Sequence, residues 1–431
     1  QIPEGSDPLA MAYAGHQFGH FVPQLGDGRA ILIGEVKDAS GIHRDIQLKG
    51  SGQTPFSRQG DGRAALGPVL REFIISEAMH SLGIPSTRAL AAVTTGEPVY
   101  RETALPGAIL TRVALGYVRV GTFEYFAVRR DTGAVKQLAD YVIARHHPET
   151  KRTENPYAAL LQSVAEKQAD LVAQWMCVGF IHGVMNTDNM SISGETIDFG
   201  PCAFVDTYDP NTVFSSIDNF GRYAYGNQPK IAQWNLIQLA ESLLPLIDAS
   251  TDQAVKIARR ILESFPELYK ESWLEKMRKK LGFITPQSED TALIDELLSL
   301  MEKNSADLTL TFRGLCYELE PNTQLKKPVR NLFSDPTSFD SWVRRWHSRI
   351  SEETLSRADI AEKMLRHNPA VIPRNHLVEN ALEAAIDDGN LELFDQLSEI
   401  LSSPYREQPD ESEYTKPPEP GETAYQTFCG T

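Results

Sequence analysis

Residues 179–202 run GFIHGVMNTDNMSISGETIDFGPC. An apolar helix is expected to lead into His182-Gly183, a polar turn to occupy Asn186 to Asn189, and a short strand to cover residues 190–192. Ser193-Gly194 then leads through Ile197 to Asp198-Phe199-Gly200. Asp188 stands ten residues ahead of Asp198 and Asn189 nine, on loops flanking what reads as a tight hairpin. Mg²⁺ takes a few hard oxygen ligands from protein and keeps waters and phosphate oxygens for the rest. Two acids and an amide in this pattern make the stretch a candidate metal site, and groups that hold phosphate have to come from elsewhere in the chain.

The first source lies upstream. Gln24-Leu25-Gly26-Asp27-Gly28-Arg29 runs straight into an apolar strand over residues 30–36. A Gly-x-Gly turn beside a strand lets backbone N–H groups approach a phosphate, although a plain hairpin turn has the same composition. A second strand, residues 45–49, alternates as DIQLK and ends on Lys49, before a glycine-rich polar loop over residues 50–63. A structureless loop of that length is more often functional than filler. Residues 66–82 carry an imperfect apolar stripe at helical spacing and stop at Gly83 and Pro85. Glu72 on that helix can face Lys49 across the strand–helix interface and hold it ready for phosphate oxygens. The alternative is two exposed side chains.

Strand-like runs follow at residues 88–94, 98–101 and 108–114. With the first two they suggest a five-stranded antiparallel sheet carrying one helix. Arg112 sits inside an apolar strand and so requires an anion or a carboxylate partner. Arg119 follows seven residues later. From Gly121 onward helices dominate, the longest over residues 157–180, where Trp175 and Cys177 read as core. Further helices are expected at 231–247, 253–265, 273–281, 291–301, 338–350, 356–365, 378–386 and 391–401. Asp218 reads as a helix or turn cap, and the basic run 276–280 as a solvated helix face. The two-loop spacing of 179–202 is similar to the catalytic loop and metal-binding Asp-Phe-Gly of protein kinases, without a residue-for-residue match.

At 431 residues the chain can bury one large core or two to three domains. No run approaches 18 consecutive apolar residues, so no membrane span is expected. Of the net charge of −16, residues 376–431 supply −11, from 13 acidic and 2 basic residues. A nearly balanced body with an acidic tail argues against a nucleic-acid partner. Cys177, Cys202, Cys316 and Cys429 show no CxxC spacing, which argues against zinc. From Ser402 the chain turns proline-rich and acidic, and an extended or mobile tail is expected. It carries Cys429 third from its end, and a lone tail cysteine raises a redox role.

Taken together, QLGDGRA (24–30), QLKGSGQTPFSRQGDGRA (47–64), HGVMNTDNMSI (182–192) and TIDFGP (196–201) resemble the selenoprotein O family, the YdiU-type protein adenylyltransferases of bacteria. The resemblance runs over nearly the whole chain. It implies an α+β, protein-kinase-like fold: a small antiparallel-sheet lobe with one helix, a larger helical lobe, and a C-terminal helical extension. The corresponding division is 1–118 for nucleotide binding, 119–302 for the helical lobe with the catalytic and metal loops, 303–401 for the extension, and 402–431 for the tail. The family binds ATP in an orientation reversed from that of kinases. The implied activity is Mg²⁺-dependent transfer of AMP from ATP to Ser, Thr or Tyr hydroxyls of proteins, with release of pyrophosphate; Mn²⁺ is an alternative metal.

Residue by residue, the resemblance implies nucleotide contacts at Gly26, Gly28, Arg29, Lys49, Asp61, Gly62, Arg112, Arg119 and Asp198. It pairs Glu72 with Lys49, makes Asp188 the catalytic base, and makes Asn189 and Asp198 the metal ligands. The sequence departs from kinases where it matters most. Aligning His182 and Asn189 with the kinase loop places Val184 where the catalytic Asp stands. A phosphotransferase moving the γ-phosphate, or an inactive nucleotide-binding scaffold, are the competing readings. The family also carries a cysteine or selenocysteine where Cys429 stands, which implies a disulfide with Cys202. Closing that 227-residue loop stabilises by up to about 5 kcal/mol if unstrained; the alternative is two free thiols. The chain is read as lacking the family's N-terminal segment and as cytoplasmic in a bacterium, or mitochondrial in a eukaryote.

Overall fold

The computed structural model describes residues 6–319, 328–409, 412–419 and 426–427. It is a mixed α+β architecture with a small antiparallel-sheet part followed by a larger helical part. A hairpin of β1 (Ala12–Gln17) and β2 (His20–Gly26) comes first, followed by β3 (Ala30–Lys37), β4 (His43–Lys49), the two-residue β5 (Ala64–Ala65), β6 (Arg88–Tyr100) and β7 (Ala104–Ala114). β3, β4, β7 and β6 lie side by side, and β5 extends β4's edge of β7; every pairing is antiparallel. The helix α1 (Leu66–Ser81) packs on β6 and β7 through Val69, Leu70, Ile74 and Ala78.

Five strands and one helix match the expectation, with a different membership. The runs at 88–94 and 98–101 form one strand, β6, whose register against β7 slips between Thr94 and Pro98. The slip around Gly96 and Pro98 absorbs the residues that break the alternation in the sequence. The β1–β2 hairpin was not foreseen.

The helical part comprises α2 (Val120–Val128), α3 (Thr132–His146), α4 (Pro156–Val178), α5 (Gln228–Ile247), α6 (Thr251–Leu281), α7 (Asp290–Asn304), α8 (Leu308–Tyr317), α9 (Pro336–Ile350), α10 (Arg357–Leu365), α11 (Asn375–Asp387) and α12 (Glu392–Leu401). One core joins α1, the sheet, α2 to α6, α11 and α12. A second, centred on the fully buried Trp342 and Trp346, joins α6 to α10. The two helices expected at 253–265 and 273–281 are a single helix, α6, that continues through Pro266. An interior proline deprives the carbonyl four residues earlier of its partner. Here that carbonyl, on Leu262, accepts from Gln233 Nε2 at 2.9 Å.

The basic run 276–280 is also not uniformly solvated. Lys280 is buried, with its ammonium 4.5 Å from the centre of the Phe312 ring. Neither is the start of the tail loose: Tyr405 Oη donates to Leu82 O at 2.9 Å, and Ala370 N–H to Pro404 O at 2.7 Å. Among the described residues no helix is long and apolar enough to cross a membrane.

Candidate active site

α4 ends at Gly179 in the left-handed conformation (φ 78°), and the chain enters β8 (Phe180–Ile181), which pairs with β9 (Ala203–Phe204). This two-residue ladder closes the loop 182–202 at its base. Inside the loop the expected strand at 190–192 does not fold back as a hairpin. Instead Val120 N–H donates to Met190 O and Ile192 N–H to Val118 O, both at 3.0 Å. Thr196 is held in turn by Pro85 and Thr87. The stretch is therefore stitched to the sheet part on two sides. His182 Nε2 meets Ile197 O at 2.9 Å, and Gln228 bridges His182 N and Phe180 O, which ties the two loops to α5.

Asp198 has a left-handed backbone (φ 65°), rare for a residue with a side chain, and its carboxylate meets a cluster from the sheet part. Lys49 Nζ, at the end of β4, lies 2.7 Å from Glu72 Oε2 and 3.3 Å from Asp198 Oδ1. Arg112, on the neighbouring strand β7, pairs with Glu72 through Nε and approaches Asp198 Oδ1 at 3.7 Å through Nη2. Arg112 thus has the carboxylate partner that its buried position demands, while Nη2 makes no hydrogen bond. Burial alone would raise both carboxyls. For Glu72 it is outweighed by Arg112 and Lys49, and for Asp198 by Lys49, Arg112, Arg29 and Arg119, so both are held below their usual values.

A cavity of about 300 Å³ opens beside this cluster, lined by Arg29, Lys49, Glu72 and Asp198 and by the first turn of α1. Ala65, which caps α1, supplies no side-chain acceptor. Of that first turn, Leu66 and Gly67 carry N–H groups suited to an anion, because Pro68 has none. Its far wall comes from α11 and from Thr427, whose Oγ1 donates to Pro201 O at 2.7 Å.

Asp188 lies deeper. It is 7 % exposed; Oδ2 accepts from Gln17 Nε2 at 3.3 Å and Oδ1 has no hydrogen-bond partner. Burial, partly offset by Arg119, pushes its carboxyl up to about 6. β1 makes this seat. A Cβ on Gly15 would stand 2.5 Å from Asp188 Oδ1, so only glycine permits the approach. Arg119 donates to Asp188 O at 3.2 Å and to Asp27 Oδ1 at 3.3 Å, with its guanidinium 4.4 Å from the centre of the Tyr13 ring. Asp27, buried between Gly26 and Gly28, also accepts from Met11 N and Gln47 Nε2. Thr54 donates to Asp27 O and Ser57 to Gly28 O, so the loop 50–63 closes over the Gly26–Gly28 turn.

The sheet and the loop thus bring Lys49, Glu72, Arg112 and Asp198 together, with Arg29 on the same cavity. Arg119 and Asp188 form a second group, joined to the Gly26–Gly28 turn through Asp27. Asp61 and Gly62 stand apart: Asp61 pairs with Arg101 near the surface and does not line the cavity. Asn189 donates its amide N–H to Val184 O at 2.9 Å, which leaves the amide oxygen for a ligand. That oxygen and the Asp198 carboxylate are hard donors of the type Mg²⁺ takes, although no group of three or more His, Cys, Asp or Glu side chains suited to a metal occurs among the described residues. Cys202 is buried and its thiol is pushed up to about 12 by burial; its expected partner, Cys429, lies outside the described residues.

Sequence reading missed Tyr13, Gln17, Asp27 and Gln47. An acid between two glycines was the available signal for Asp27. The other three sit on strands where nothing local separates them from ordinary sheet residues.

A family model described as "Protein adenylyltransferase SelO" matches residues 2–402. Curated relatives described as "Protein nucleotidyltransferase YdiU" align over 430 residues, 100% of this chain. The one from Rhizobium meliloti (strain 1021) is 59% identical, with 88% of its own length covered. That from Bradyrhizobium diazoefficiens is 60% identical with 87% covered, and that from Agrobacterium fabrum is 57% identical with 88% covered.

Proposed function

The chain belongs to the SelO family of protein adenylyltransferases and is a protein nucleotidyltransferase that uses ATP, and we propose that it transfers AMP to Ser, Thr or Tyr hydroxyls of other proteins through the site around Asp188 and Asp198. The acceptor oxygen attacks the α-phosphorus of ATP, the bond from that phosphorus to the bridging oxygen breaks, and pyrophosphate leaves. The hydroxyl proton passes to Asp188. The observation that carries this reading is Asp188 Oδ1, a buried carboxylate oxygen without a partner on a group poised near neutrality. A general base works best with a pKa near the working pH.

Charge builds on the phosphates as pyrophosphate departs, and preorganised cations stabilise it best where they need not move. Lys49 and Arg112, fixed by Glu72, serve that role from the sheet. Arg29 serves it from the end of the Gly26–Gly28 turn and Arg119 backs that turn through Asp27, while Asp61-Gly62, apart from the cavity, take no part. Asn189 and Asp198 would hold Mg²⁺, or Mn²⁺ in its place, which neutralises phosphate oxygens when bound. In this reading the sheet part, residues 1–118, and the helical part, 119–302, are the two lobes of a protein-kinase-like fold. Residues 303–401 form an extension that returns through α11 and α12 to brace α1.

Val184, buried at 6 % exposure where a kinase's loop carries its catalytic acid, favours AMP transfer over γ-phosphate transfer. ATP labelled separately at the α and γ positions tests this. Label on protein from the α position alone is expected. Label from γ alone would establish a phosphotransferase, and label from neither an inactive scaffold.

A further inference from the structure

The turn between β9 and α5 carries side chains that the transfer chemistry does not use. Phe220 is 99 % exposed and Ile217 52 %. The backbone beneath them is nonetheless pinned. The Asp218 carboxylate accepts from the N–H groups of Arg222 at 2.9 Å and Tyr223 at 2.7 Å, and Asn227 Nδ2 donates to Gly221 O at 2.9 Å. A phenylalanine displayed on a fixed turn gains by being covered, without first having to order its own loop.

Phe220, Ile217, Phe18 and Ile231 line a groove of about 530 Å³. Its polar lining includes His20, Arg222 and Lys230. Asp218, the one carboxylate among the described lining residues, already serves two backbone amides. Arg222 lies over the Trp234 ring, 4.7 Å from its centre, and its Nε is buried without a hydrogen-bond partner. In a chain of net charge −16, this groove sets four apolar side chains beside two cations, Arg222 and Lys230.

The groove also adjoins the seat of Asp188. Phe18 N–H donates to Asn186 Oδ1 at 3.0 Å and to Tyr223 Oη at 3.1 Å, and Tyr223 Oη donates to Asn186 Oδ1 at 2.5 Å. The residue before Phe18 is Gln17, which holds Asp188. The β1–β2 hairpin therefore carries both the contact to the base and, in its turn, a lining residue of the groove.

We propose that this groove docks the acceptor protein, as an extended segment that places a large apolar side chain against Phe220 and Ile217 and an acidic side chain against Arg222 and Lys230. The inference rests on the transfer reading of Asp188, because docking here sets the hydroxyl beside that carboxylate.

Synthetic peptides test it, each with one central Tyr, Ser or Thr and with Phe, Glu, Lys or Ala placed in turn at the flanking positions, incubated with α-labelled ATP. The wild type is expected to label peptides carrying Phe and Glu flanks at least tenfold faster, in kcat/KM, than Ala- or Lys-flanked ones. Phe220→Ser should abolish the preference for Phe, and Lys230→Glu should reverse that between Glu and Lys, with KM for ATP unchanged in both. Label transfer with flat preferences, or preferences that survive both substitutions, overturns the docking site alone. No label on any peptide from the wild type removes the transfer reading and this proposal together.

Discussion

Replacing Glu72 by Gln tests the electrostatic core of the site most directly. Glu72 is the shared partner of Lys49 and Arg112, with side-chain exposures of 3 %, 14 % and 4 % in that order. The four charges of Lys49, Arg112, Glu72 and Asp198 cancel in the wild type, and the substitution leaves one excess positive charge. Breaking a buried pair from one side costs about 3–5 kcal/mol. Asp198, at 38 % exposure and 3.3 Å from Lys49 Nζ, remains to compensate in part. The low end is therefore expected, about 3 kcal/mol or roughly 150-fold in the folding equilibrium.

The loss must also follow pH. The folded-state pKa of Glu72 lies below its usual 4.5, so its stabilisation is complete above 4.5 and fades as pH falls through the lowered value. Urea unfolding of both proteins without ATP should show the full difference at pH 7 and a shrinking one at pH 4 and below. Lys49→Met in the Glu72→Gln background should cost much less than in the wild type, because contacting charges are not additive. Additivity within about 0.5 kcal/mol, or a pH-independent difference, refutes the coupling of these charges.

Asp198→Ala should abolish metal-dependent transfer of α-label, and full activity would remove Asp198 from the site. Asp188→Asn should retain ATP binding by calorimetry while lowering the transfer rate by about 10²–10⁴-fold, the usual contribution of a general base. Gly15→Ala should lower transfer similarly with a near-native circular dichroism spectrum, since its Cβ meets Asp188 Oδ1 at 2.5 Å. Lys280, buried and with its pKa lowered from 10.5 to about 8, carries a penalty that is full below pH 8 and fades toward 10.5. Lys280→Met should therefore raise stability to urea by up to about 3 kcal/mol at pH 7 and lose that gain above pH 10. After mild oxidation, non-reducing peptide mapping should yield a Cys202–Cys429 cross-link; its absence refutes the disulfide.

What could be read in the sequence was local. Lys49 ends a strand and Glu72 occupies the next helix, and the pair forms because only the glycine-rich loop 50–63 and the two residues of β5 lie between their elements. Asp218 reads as a cap and acts as one. The unread parts depend on distant partners. Proline ends a helix in sequence reading, yet α6 survives Pro266 because Gln233 on another helix takes the freed carbonyl. Residues 190–192 have strand character, but their pairing partner is the segment 118–120, seventy residues earlier in the chain. The hairpin over residues 12–26 has neither a clean alternation nor a turn signature, and its identity as a wall of the active site appears only once Gly15 is seen against Asp188.

The division of labour between the two aspartates follows from this long-range construction. Ten residues apart in one stretch, they meet opposite environments. Asp198 turns through a left-handed backbone onto Lys49 and Arg112 and is held ionised. Asp188 is covered by β1 and faces one amide, so burial prevails and its carboxyl rises to about 6. Neighbouring titratable groups driven apart in this way mark which one holds charge and which one moves a proton. The difference cannot come from the loop alone, because it supplies two chemically identical side chains. The sheet's cations claim one and the β1–β2 hairpin desolvates the other. A variant that opens the hairpin should therefore lower the pKa of Asp188 and leave Asp198 untouched, weakening base catalysis at neutral pH without loosening the grip on phosphate.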